Sequence, residues 1–165
     1  TPKPSSAASD VYKRQHQMGV EVVHMPVRPV DQDVPTTTRG AALRARRGHR
    51  HHIAAWGEDV AARYVTSLGW RMVARNWVTD IGEADIIALD GEGWAVLVEV
   101  RTRTGTDFGT PLESITPAKL HKLTQLALVW RRQHPEHHHI RIDVIGVLRR
   151  DSAEPQITHV RGVGQ

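Results

Sequence analysis

Apolar residues recur at intervals of three or four through Ile53, Trp56, Val60, Tyr64 and Leu68, which stacks them on one helical face. The spacing predicts a first helix over about residues 51–68, closed by Gly69. The period then shortens. Residues 70–78 read as a strand, and 79–82 turn the chain into two further apolar strands, 82–89 and 94–101, joined by Asp90-Gly91-Glu92-Gly93. Thr116-Pro117 supplies an N-cap and a first helical residue for a second helix, whose apolar stripe is Leu120, Leu123, Ala127 and Trp130. The run 134–139 reads as a polar loop, 140–148 alternates as a strand, and 156–160 adds an edge strand. Helix, strand, hairpin, helix, strand predicts an α/β domain with a mixed central sheet flanked by helices.

The hairpin is unusual because its apolar strands carry acids. If residues 91–93 form a three-residue loop, Leu89 faces Ala95, Asp85 faces Glu99 and Glu83 faces Arg101. Alternation then sends those four charged residues to one side, while Val96, Val98 and Val100 cover the other. A four-residue loop would separate the acids; the three-residue loop is the expected register. Two carboxylates facing each other across a hairpin repel, so the expected outcomes are a raised pKa, a cationic partner or a bound metal. Oxygen ligands of this kind suit Mg²⁺ or Mn²⁺ rather than zinc. The competing reading leaves both acids on a solvated face, tied up by Arg101 and Arg103.

Composition narrows the chemistry further. With 165 residues the chain is expected to build one core, and with no cysteine it makes no disulfide, thiolate zinc site or cysteine nucleophile. His134, His137, His138 and His139 invite a metal, but three adjacent histidines do not readily converge on one ion. No apolar run is long enough for a membrane span, which makes the cytoplasm the expected location. The net charge of +4 fits a polyanionic partner only weakly. Residues 1–48 are proline-rich, polar and without a period, so they are expected to be a disordered or non-native leader ahead of a domain over 49–165. The stretch 9–15 resembles translated adaptor sequence, and a start at Met18 or Met25 is expected. Arg39, Arg44, Arg46, Arg47 and Arg50 form a basic approach that either contacts phosphate or is a solvated tail.

Gly57-Glu58, Arg75-Asn76-Trp77, Gly82-Glu83-Ala84-Asp85, Val98-Glu99-Val100-Arg101, Phe108-Gly109-Thr110-Pro111 and Arg141-Ile142-Asp143 occur in the order seen in the YraN-like bacterial proteins. The stretch of roughly 50–148 resembles that family, which in turn looks like the PD-(D/E)xK superfamily of restriction endonucleases and junction resolvases. The resemblance implies a restriction-endonuclease-like fold and a nuclease, resolvase-like activity on structured substrates included, that uses Mg²⁺ or Mn²⁺. It places Asp85, Glu99 and position 101 on the D…ExK signature, with Glu58 as the helix-borne acid that completes the metal site. Arg101 stands where the signature has lysine; it can clamp a phosphate, but its pKa is too high for a base. Glu83 would orient Arg101. Arg75, Arg103, Lys119 and Lys122 are the candidate nucleic-acid contacts, with Thr104 and Phe108 in the loop after the hairpin. Asp143 either supports the site or pairs with Arg141. The implied partner is nucleic acid, DNA ahead of RNA, and resolvase-like enzymes commonly act as homodimers. The alternatives are a catalytically impaired nucleic-acid-binding protein of the same fold, or a protein-interaction domain.

Overall fold

A computed structural model describes residues 20–24, 43–104, 115–150 and 153–164. Eight elements follow in chain order. They are β1 (Val20–His24), α1 (Leu43–Ser67), β2 (Arg71–Val78), β3 (Glu83–Leu89), β4 (Ala95–Arg103), α2 (Pro117–Gln133), β5 (Ile140–Arg150) and β6 (Ala153–Val160). The strands form one mixed sheet in the order β1-β6-β5-β4-β3-β2. Only β4 and β5 run parallel, because α2 carries the chain back across the sheet between them. The α/β class with a mixed central sheet is therefore what the alternating periods predicted.

Each helix covers one face. Val60, Ala61, Tyr64 and Val65 of α1 pack with Ile86, Ala88, Val96, Val98 and Val100. Leu123, Leu126, Ala127 and Trp130 of α2 pack with Ile87, Leu89, Ala95 and Leu97 on the other side. Val60, Tyr64, Leu123, Ala127 and Trp130 of the expected stripes are buried, with Trp56, Leu68 and Leu120 partly buried beside them, whereas Ile53 lines a cleft instead. Thr116 caps α2, accepting at Oγ1 from the Lys119 amide at 3.2 Å.

Four expectations are corrected. The first helix begins at Leu43, so a boundary between 48 and 49 cuts through it. The strand β1 lies inside the stretch expected to be unfolded; it pairs antiparallel with β6, from Val20↔Val160 to His24↔Gln156. Five residues are too few to reveal a period, and β1 becomes a strand by meeting the open side of β6. That pairing also makes β6 an interior strand rather than an edge. The second hairpin strand runs past residue 101, since β4 continues through Arg103; Phe108 lies outside the described residues.

Asp143 belongs to the core. Along β5, Ile142 and Val144 pack on the α2 side and Ile145 and Val147 on the α1 side, so Asp143 faces α1. There it is fully buried, accepting from Arg141 Nε at 3.1 and 3.2 Å, from the Gly162 amide at 3.0 Å and from His159 Nε2 at 2.9 Å. With Nε2 donating, Nδ1 of His159 is left to accept from the Tyr64 hydroxyl at 3.3 Å. Arg141 also reaches Asp90 in the hairpin loop at 2.5 Å. Burial of Asp90 works against ionisation, but hydrogen bonds from Arg141 and from the Trp94 and Glu92 amides outweigh it and lower its pKa.

At Gly57 the backbone of α1 lies tight against β4. A Cβ there would overlap the Thr102 hydroxyl of β4. Gly57→Ala is expected to push α1 off β4 and to cost at least about 2 kcal/mol in urea denaturation. A variant as stable as the wild type would show that this crossing is loose.

Candidate functional site

The hairpin takes the three-residue loop. Pairing runs from Leu89↔Ala95 to Ile86↔Val98, so the next step brings Asp85 beside Glu99. The ladder stops there, and Asp85 Oδ2 accepts the amide of Val100 at 2.7 Å. A carboxylate replaces a main-chain partner at the point where the two strands part.

Alternation slips at the same level in two strands. Ala84 and Ile86 lie two apart on β3 yet pack on opposite sides of the sheet, and on β2 both Ala74 and Trp77 pack on the α2 side. Between the last two, Asn76 has a left-handed backbone, φ 50°. The slip overturns the expectation that Glu83, Asp85, Glu99 and Arg101 share one side. Glu83 acts electrostatically on Glu58 of α1, and Arg101 pairs with Glu99 rather than orienting on Glu83.

Glu99 is the centre of the site. Its side chain is only 3% exposed, and Oε1 meets Lys119 Nζ at 2.9 Å and Arg101 Nη2 at 3.2 Å. Its Oε2 is buried without a hydrogen-bond partner among the described residues, as is Nε of Arg101. Burial, and after it the negative charge of Glu99, raises the Asp85 pKa from 3.8 to about 7, against the Val100 hydrogen bond and Lys119. Partial burial also raises Glu58, opposed by Arg75 and by a hydrogen bond with Asn76.

Glu58, Arg101, Thr102 and Arg103 line a cleft of about 390 Å³ with Ile53 and Ala54. Glu58 lines this cleft and its charge also acts on Asp85. Among the described residues no three His, Asp or Glu side chains are grouped so as to hold a metal, the histidine loop included. Asp85 and Glu99 alone suit a magnesium-like ion, which is often held by one or two carboxylates with water and phosphate completing its shell. The orphaned Glu99 Oε2 is the atom that such an ion would satisfy.

The expected phosphate contacts divide. Arg75 is paired with Asp59 at 2.7 Å. Lys122 is exposed, its stem against the backbone of Gly82. Lys119, expected to contact nucleic acid, is paired with Glu99. Asn76 carried no signal in the sequence beyond its place in Arg75-Asn76-Trp77, since a left-handed residue within a strand cannot be read from a period. Histidines 134, 137 and 139 stack on Trp130 and Trp94, so their rings extend the packing around the loop.

The model of "Uncharacterised protein family UPF0102" matches residues 57–147. A UPF0102 protein of Rhodococcus opacus is 42% identical over 114 residues, which cover 68% of this chain and 96% of that protein. One from Mycolicibacterium smegmatis is 44% identical over 117 residues, covering 70% and 94%. One from Beutenbergia cavernae is 44% identical over 113 residues, covering 68% and 95%. The match includes Glu58, Asp85, Glu99, Arg101 and Lys119, so the whole site lies within the shared region. No helix among the described residues is long and apolar enough to cross a membrane.

Proposed function

This chain belongs to the uncharacterised protein family UPF0102, and from its site we propose that it is a metal-dependent nuclease-like protein acting on nucleic-acid phosphodiester bonds. One observation carries the reading. Asp85 and Glu99 are brought together in a water-poor site, with an unsatisfied carboxylate oxygen on Glu99 and an unsatisfied Nε on Arg101. Buried polar atoms without partners are rare in folded proteins and mark places where a ligand completes the set.

Asp85 and Glu99 would hold the cation, Mg²⁺ or Mn²⁺, with Glu58 at the rim of the cleft. The ion supplies Lewis-acid charge beside the scissile phosphate. Arg101 is already oriented by Glu99 through Nη2, which leaves Nε to donate to a phosphate oxygen. Thr102 and Arg103 extend this cleft, which opens to solvent.

A second reading, a nucleic-acid-binding protein without turnover, draws on the cations. Glu99 Oε1 already has both Lys119 and Arg101, and position 101 carries no lysine. A cleavage panel separates the two. Single-stranded, duplex, flap and four-way-junction substrates are tested with Mg²⁺ or Mn²⁺ against EDTA. Cleavage of at least one substrate, suppressed by EDTA, is the expected result. Salt-sensitive binding without any cleavage selects the second reading, and neither binding nor cleavage rejects both.

A further inference from the structure

Lys119 sits in the first turn of α2, and the buried stripe of that helix fixes where its Cα stands. Only its flexible stem can move. The ammonium lies 2.9 Å from Glu99 Oε1 and also acts on Asp85, so a single mobile cation serves both acids. Arg101 touches the same oxygen from β4, at 3.2 Å. Lys122, one turn further along α2, does not share the position, since its stem lies against Gly82.

We infer that Lys119 is a tethered cation occupying the cation-binding side of the Asp85 and Glu99 pair, and that a divalent ion enters by displacing it. The inference rests on the nuclease-like reading. An ion held by Asp85 and Glu99 would bring two positive charges near the ammonium already on Glu99 Oε1, and in a poorly solvated site the two cations would repel. The ammonium yields because its stem is free to swing, whereas the carboxylates are fixed by two strands and the Val100 amide. Its release adds a second positive group beside Arg101 for a phosphate.

The test is the Mn²⁺ affinity of the full chain at pH 8, by calorimetry. Lys119→Met keeps the stem and removes the charge; it is expected to bind Mn²⁺ about 10-fold more tightly or better. Lys119→Gln is expected to do the same and serves if the methionine variant folds poorly. Lys119→Arg, which keeps the charge, and Lys122→Met are expected to match the wild type. Affinity equal to or weaker than wild type in both neutral variants overturns the displacement, since a merely structural ion pair would leave Mn²⁺ binding unchanged or weakened. Mn²⁺ binding by the neutral variants alone would support it most strongly. If no variant and not the wild type binds Mn²⁺, the nuclease-like reading falls as well.

Discussion

Asp85→Asn is expected to abolish divalent-dependent cleavage while making the protein more stable at pH 8. The loss of activity should be at least about 100-fold, because a neutral amide is a poor ligand for a hard cation and adds no charge to the site. The gain in stability has a separate origin. The Asp85 pKa is raised from 3.8 to about 7 by burial and by Glu99, so between those values the folded protein holds a proton that the unfolded chain has released. Stability is therefore fully present below about pH 4 and declines as the pH rises through about 7. Asparagine does not titrate, and its oxygen can still accept the Val100 amide. The difference between variant and wild type should be near zero at pH 4 and reach roughly 2–3 kcal/mol at pH 8, allowing for the solvent that still reaches Asp85. Urea denaturation at both pH values measures it. Equal stability at pH 8 would show that Asp85 and Glu99 do not strain one another, and the electrostatic basis of the site would be lost.

Asp143→Ala should be the most damaging substitution for the fold, at about 3–5 kcal/mol. Asp143 is the acceptor on which Arg141, His159 and the Gly162 amide converge, and both Asp143 and His159 are fully buried. Alanine would leave Nε of Arg141, the His159 ring and the Gly162 amide without their buried acceptor, although Asp90 still pairs with Nη1 of Arg141. Because Asp143 faces α1 while Glu99 faces α2, cleavage per folded molecule should be unchanged. Denaturation gives the first quantity, and activity normalised to the folded fraction gives the second. A cost below about 1 kcal/mol would mean that the network is not the anchor its burial implies.

The site's effect on stability runs opposite to that of the core network. Removing Asp85 relieves a repulsion, whereas removing Asp143 leaves buried donors without an acceptor. Both are aspartates in strands of one sheet, and what separates them is the partner each one meets.

Local chemistry determined much of this protein by itself. Helical spacing marked the stripes of α1 and α2, Thr116-Pro117 marked where α2 begins, and the Asp90-Gly91-Glu92-Gly93 turn fixed the register that sets Asp85 beside Glu99. Each of these depends on residues close in sequence, so the pattern contains the information. What only the tertiary structure decided depends on distant partners. The strand β1 exists through β6, Asp143 is committed to Arg141 and His159, and Lys119 turns to Glu99. The slip at Asn76 and Asp85 breaks the strict alternation on which the sequence reading relied, and it sends Glu83 toward Glu58 instead of Arg101. A period assumes uninterrupted pairing, and here the interruption lies at the two acids, where the strands part and a side chain takes over a main-chain hydrogen bond.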